Sequence, residues 1–135
     1  MKKIVLALAA MGILAAPAAV SAKGPKLTPE QKLEKLLEGR VAGKPVSCIS
    51  LSNARDSRIF DKTAIVYESG STIYVNRPQN ASSLDDDDVM VTETHGSQLC
   101  RLDVVKMHER TGMWYNGFVS LNDFVPYRKV AKGSW

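Results

Sequence analysis

Two histidines and two cysteines are all that this chain of 135 residues has of those residue types. No C-x-x-C, H-E-x-x-H helix, G-x-S-x-G elbow or papain-like cysteine neighbourhood occurs in it. Dithiol redox, zinc-protease, serine-hydrolase and cysteine-protease chemistry therefore lack their usual carriers. The nearest approach to a phosphate loop is Gly39 to Lys44. It has three spacer residues where four are needed, and Pro45 where a magnesium-holding Ser or Thr belongs. His95 and His108 share no recurrent spacing with other ligands, whereas a metal site normally needs three or four. Both read as surface histidines. A concentrated basic stripe, the footprint of a nucleic-acid binder, is also missing.

What is present begins at the N-terminus. Lys2 and Lys3 precede an uncharged apolar run from Ile4 to Val20, and Val20-Ser21-Ala22 offers small residues at the −3 and −1 positions of a cleavage site. This order of basic, apolar and small segments predicts a cleavable signal peptide over residues 1–22. A membrane anchor fits less well. A span wants about 20 apolar residues, and this run is shorter and interrupted by Gly12 and Pro17. The short Lys-Lys start and Ala-rich core have a bacterial character, so the expected location is periplasmic or secreted, with no stable membrane insertion after cleavage.

Removing residues 1–22 lowers the formal charge from +4 to +2, because Lys2 and Lys3 leave with the segment. The remaining residues 23–135 suffice for one domain with its own core. Charge is uneven along them: Arg77 is the only basic residue between 63 and 100, a stretch with six carboxylates. Cys48 and Cys100 in an oxidising compartment predict a structural disulfide. It would close a long loop and contribute about 4 kcal/mol in the chain-entropy account. A redox or metal-binding thiol pair is the rival reading, and neither cysteine has a histidine within three residues.

After a loose leader, Thr28-Pro29-Glu30-Gln31 combines an N-cap, a proline at the first helical position and a capping box. Leu33, Leu36 and Leu37 give that helix one apolar side, and Gly39 closes it. From Pro45 the pattern turns to short β runs: 46–51, 63–68, 71–77, 89–94, 102–108, 114–121 and a final extended segment 124–127. Ser69-Gly70 marks a hairpin in which Val66 would face Ile73 and Ile65 would face Tyr74, apolar on both sides and so central. The expected fold is mainly β, a small antiparallel barrel or sandwich of five or six strands with one short N-terminal helix. The divisions are 1–22 signal peptide, 23–44 leader and helix, 45–128 disulfide-bridged β domain and 129–135 tail.

Asp85, Asp86, Asp87 and Asp88 form the most conspicuous local feature. Their spacing lacks the alternate carboxylates, glycine and distant glutamate of an EF-type loop, so they read as a solvated loop and a candidate contact surface. Calcium is the weaker alternative. Trp114, Tyr115 and Phe118, with Tyr67 and Tyr74, read as strand aromatics packed in the core. Strand alternation puts Trp114 and Tyr115 on opposite faces, so at most one of them joins an exposed platform.

Ser47-Cys48-Ile49-Ser50-Leu51, Tyr74-Val75-Asn76-Arg77, Ser97-Gln98-Leu99-Cys100 and Phe124-Val125-Pro126-Tyr127 follow one another in an order that resembles a family of small exported proteobacterial proteins built on a domain of unknown function. The resemblance covers residues 44–128. Its typical members carry a second cysteine pair, near the loop after Arg77 and in the last strand before Pro126. Neither position holds a cysteine here. Loss of both members together leaves no orphan thiol and implies pairing of Cys48 with Cys100. The resemblance brings no activity with it.

The expectation is an exported cell-envelope protein that is not an enzyme and uses no cofactor. It would act as a monomeric binding or structural module toward a protein or other envelope component. The alternative is an inhibitor of an envelope-attacking hydrolase, a lysozyme or protease, whose basic cleft the loop from Leu84 to Val89 would block. A small hydrolase using His95 or His108 ranks last.

Overall fold

A computed structural model of the chain describes residues 24–130, together with positions 12, 13 and 15. Apart from those three positions, the expected signal peptide lies outside the described residues, as does 131–135. The elements run α1 (Pro29–Leu36), β1 (Arg40–Ala42), β2 (Cys48–Ser50), β3 (Asp56–Phe60), β4 (Ala64–Ser69), β5 (Thr72–Asn76), a 3₁₀ turn (Ala81–Ser83), β6 (Val89–Thr92), β7 (Gln98–Cys100), β8 (Val104–His108), β9 (Tyr115–Ser120) and β10 (Phe124–Lys129). The fold is mainly β with one helix, as expected. Its strands form three antiparallel sheets instead of a closed barrel, in the orders β1-β10-β5-β4-β3, β2-β7 and β6-β8-β9.

Helix α1 begins as its sequence dictates. Thr28 N donates to Gln31 Oε1 at 2.9 Å and Gln31 N to Thr28 Oγ1 at 3.2 Å, the reciprocal capping box. Leu33 is fully buried, with Leu36 and Leu37 packed beside it, against Phe60, Ala64, Val66, Ile73 and Val75 of the large sheet. The other face of that sheet supplies Ile65, Tyr67 and Phe124. They pack against Ile49, Leu99, Val105, Met107 and Val119 from the two smaller sheets. The large sheet is thus the middle layer of three, which is why both faces of β4 and β5 are apolar. Burying one such side chain, Phe124 for instance, contributes about 1.5–3 kcal/mol.

The β4–β5 hairpin pairs Val66 with Val75 and Tyr67 with Tyr74, its two-residue loop being Gly70-Ser71. The expected register is displaced by two residues, an even number, so every side chain keeps its predicted face. Gly70, at φ +59°, supplies the left-handed residue that the tight turn needs. The sheet also extends past both expected domain limits: Arg40 pairs with Lys129 and Ala42 with Tyr127. Cys48 and Cys100 face one another directly across β2 and β7 and form the expected disulfide.

Candidate functional site

The connection from β8 to β9 is organised by one carboxylate. Glu109 accepts from Thr111 N at 3.0 Å, from Gly112 N at 2.8 Å and from the Thr111 hydroxyl. These three donors, the hydroxyl foremost, hold its carboxyl below the usual range. Met113 N donates to Glu109 O at 2.9 Å, and Glu109 N donates to Trp114 O at 2.8 Å. Met113 sits at φ +54°, uncommon for a residue with a β-carbon. The indole of Trp114 lies over the α-carbon of Gly112, in space that any β-carbon there would occupy. Trp114 is nevertheless 74% exposed, so the turn presents the indole to solvent while fixing where it sits.

β9 then carries the surface onward through a bulge. Lys106 pairs with Phe118 but His108 pairs with Tyr115, so Asn116 and Gly117 together oppose Met107. Gly117 takes φ +103° there. One extra residue reverses the alternation, and Tyr115 and Phe118, three apart, emerge on the same face. The ladder puts Val89 and Val91 of β6 and Lys106 and His108 of β8 on that face too, while Val105, Met107 and Val119 point into the core.

The outer face of β6-β8-β9 is therefore an aromatic ledge: Tyr115 is 60% exposed and Phe118 48%. The expectation that Trp114, Tyr115 and Phe118 are core residues is corrected. Trp114 precedes the strand, and the bulge overrides simple alternation. The core reading stands for Tyr67, which is buried, and for Tyr74, which packs half-buried against the inner cluster. Edge pairing along part of β9 is blocked, because Asn80 Nδ2 donates to Phe118 O at 2.7 Å and Ser120 N donates to Asn80 Oδ1 at 3.0 Å.

The aspartate run borders this ledge and does not behave as a unit. Asp85 Oδ1 accepts from Asp87 N at 2.9 Å, a turn typical of aspartate. Asp85, Asp86 and Asp87 are exposed, but Asp88 is buried and both its oxygens accept from one amide nitrogen: Asn116 Nδ2 lies 3.2 Å from Oδ1 and 2.9 Å from Oδ2. Asp88 thus leaves the candidate contact surface, since its carboxylate faces the bulge. Arg110 Nε donates to Asp87 O at 3.1 Å, tying the acidic loop to the Glu109 turn. A recess of about 430 Å³ separates loop and turn, lined by Asp85, Asp87, Asp88, Glu109, Arg110 and Asn116.

Among the described residues, the grouping with metal-ligand spacing is Asp61, Asp85 and Asp86, whose carboxylate oxygens lie within 4.8 Å of one another. With one oxygen from each, a shell of the 6–8 oxygens that calcium takes would need second carboxylate oxygens, carbonyls or water to complete it. His95 is exposed on the β6–β7 connection. His108 is half-buried on the ledge, its ring 5.9 Å from that of Tyr115 and its Nδ1 3.1 Å from Met113 O. The sequence signal for the ledge was Gly117 in the middle of an otherwise ordinary strand pattern, since glycine inside a strand often marks a bulge. No family model, curated protein or solved structure matches the chain.

Proposed function

We propose that this is an exported, non-enzymatic binding protein of the cell envelope, and that the aromatic ledge on β6-β8-β9 is its working surface. The observation that carries the reading is the same-face exposure of Tyr115 and Phe118 beside the anchored indole of Trp114. Interface cores are enriched in such residues, and tryptophan and tyrosine dominate their energetics. A surface whose backbone is bulged and whose loop is held by several hydrogen bonds loses little freedom on binding. The Cys48–Cys100 disulfide suits an oxidising compartment, and the N-terminal pattern suits export. No helix among the described residues is long and apolar enough to cross a membrane.

The test uses the full chain with its own leader, tagged at the C-terminus, in wild-type form and as Trp114→Ala and Phe118→Ser. Cell fractionation is expected to find all three in the envelope fraction. Cross-linked complexes seen with the wild type should be lost in both variants. Complexes that persist in both would remove the ledge as the working surface, and retention in the cytoplasm would remove the export reading.

A further inference from the structure

We infer that the partner of the ledge is a cationic protein surface, whose lysines or arginines face the Asp85–Asp87 end of it; this rests on the reading of the ledge as the contact surface. The argument is charge complementarity around an apolar centre. Asp85, Asp86 and Asp87 project at one end of the ledge, and Asp88 and Glu109 behind them add negative charge although Asn116 and the Thr111–Gly112 turn already engage their carboxylates. The cations at this end are fewer: Arg110 lines the recess, and Arg58 lines the adjoining one with Asp86 and Asp88, two arginines against five carboxylates. Lys106 is paired with Glu93 at 2.9 Å, and the Arg110 guanidinium donates to Asp87 O. The neighbourhood therefore carries a clear negative excess, and oppositely charged surfaces accelerate docking by about 10–10³-fold.

The same excess disfavours two other occupants. Nucleic acid and the anionic face of a bilayer would both meet like charge at the rim. Shape points the same way as charge. Met113 and Trp114 stand out at the tip of the turn, 52% and 74% exposed, so the surface is convex there and fits a concave partner. Partner cations reaching this end would meet the exposed carboxylates of Asp85, Asp86 and Asp87, and the exposed rings of Trp114, Tyr115 and Phe118 offer faces that attract cations. A cleft built to hold an anionic polymer has this complementary form: concave, basic and partly desolvated.

The test is site-specific photo-cross-linking in intact cells, with p-benzoylphenylalanine at Met113 and, as a control, at the exposed Val41 on the far edge of the large sheet. The expected result is a cross-link from position 113, absent from position 41, to peptides of one protein that are rich in lysine and arginine. Combining Asp85→Asn, Asp86→Asn and Asp87→Asn should lower that yield at least about tenfold, an effect on the steered encounter that raised salt reproduces. A position-113 cross-link to neutral or acidic peptides, or a yield indifferent to the triple substitution, would overturn the cationic partner and leave the ledge standing. Failure of position 113 to cross-link beyond the control would remove the ledge itself, and this inference with it.

Discussion

Asn116 and Asp88 are bound amide to carboxylate across 28 positions of sequence, and the contact fixes the acidic loop to the bulge that aims Tyr115. Asp88 is 94% buried by the same measure that leaves Asp85, Asp86 and Asp87 exposed, being only 6% accessible. Asn116→Ala should therefore strand a buried carboxylate without its donor and cost about 1–3 kcal/mol. Asp88→Asn keeps an amide-to-carbonyl bond available and should cost less. Urea midpoints of the two variants give the order, and equal losses would show that the contact carries no coupling.

Gly112→Ala separates presentation from stability. A β-carbon at 112 would overlap the indole edge, and the exposed Trp114 can swing aside more readily than the backbone can move. The variant should change the fluorescence of Trp114, read in a Trp135→Phe background, while the unfolding free energy from urea titration shifts by less than about 1 kcal/mol, as for surface changes generally. An unchanged spectrum would mean that the indole does not rest on Gly112.

The sequence made the helix legible because its signals are local: Thr28, Pro29 and Gln31 act through bonds three residues long. The faces of β4 and β5 were legible because period-two alternation survives an even shift of register. The ledge was not, since a bulge shows itself in pairing, and only Gly117 hinted at it. β3 escaped notice for a related reason. Asp56, Ser57 and Arg58 are exposed on an edge strand, so its sequence carries no apolar alternation to read. The split within the aspartate run was equally hidden, because the inward turn of Asp88 depends on an asparagine in another strand.

The disulfide should matter beyond its loop. β2 and β7 share only three residue pairs, Cys48 with Cys100, Ile49 with Leu99 and Ser50 with Gln98, and two-stranded units are marginal alone. Cys48→Ala with Cys100→Ala should lower global stability by about 4 kcal/mol. Hydrogen exchange at Ile49 and Leu99 should accelerate first. Loss of that size without early opening of β2 and β7 would point to the unfolded chain as the sole origin of the effect.

Tyr67 offers a substitution in the opposite direction. Its ring packs edge-on to Phe124 with centroids 5.8 Å apart, and its hydroxyl is buried with no hydrogen-bond partner among the described residues. Burial pushes the phenol above its ordinary range. Tyr67→Phe removes only the unpaired oxygen, so stability should hold or rise by about 1 kcal/mol. A loss larger than that would reveal a bound water at the hydroxyl.

The Arg77–Glu30 pair joins the first turn of α1 to the end of β5 through two parallel bonds of 2.7 Å and 3.0 Å. The Arg77 hydrogen bond holds the Glu30 carboxyl below its usual value. A carboxyl depressed in the folded state stabilises above its unfolded pKa of about 4.3 and loses that contribution as pH falls through the folded value. Both side chains are about half exposed, 52% and 49%, so solvent screening limits the pair to at most about 1 kcal/mol. Glu30→Gln should accordingly be destabilising by that amount or less at pH 7 and low salt. The gap to wild type should close as pH drops below about 4, where the wild-type carboxyl also becomes neutral. Thermal melts of both proteins across that range measure it, and a gap that widens on acidification would show that the Glu30 carboxyl is held above its usual value in the folded protein.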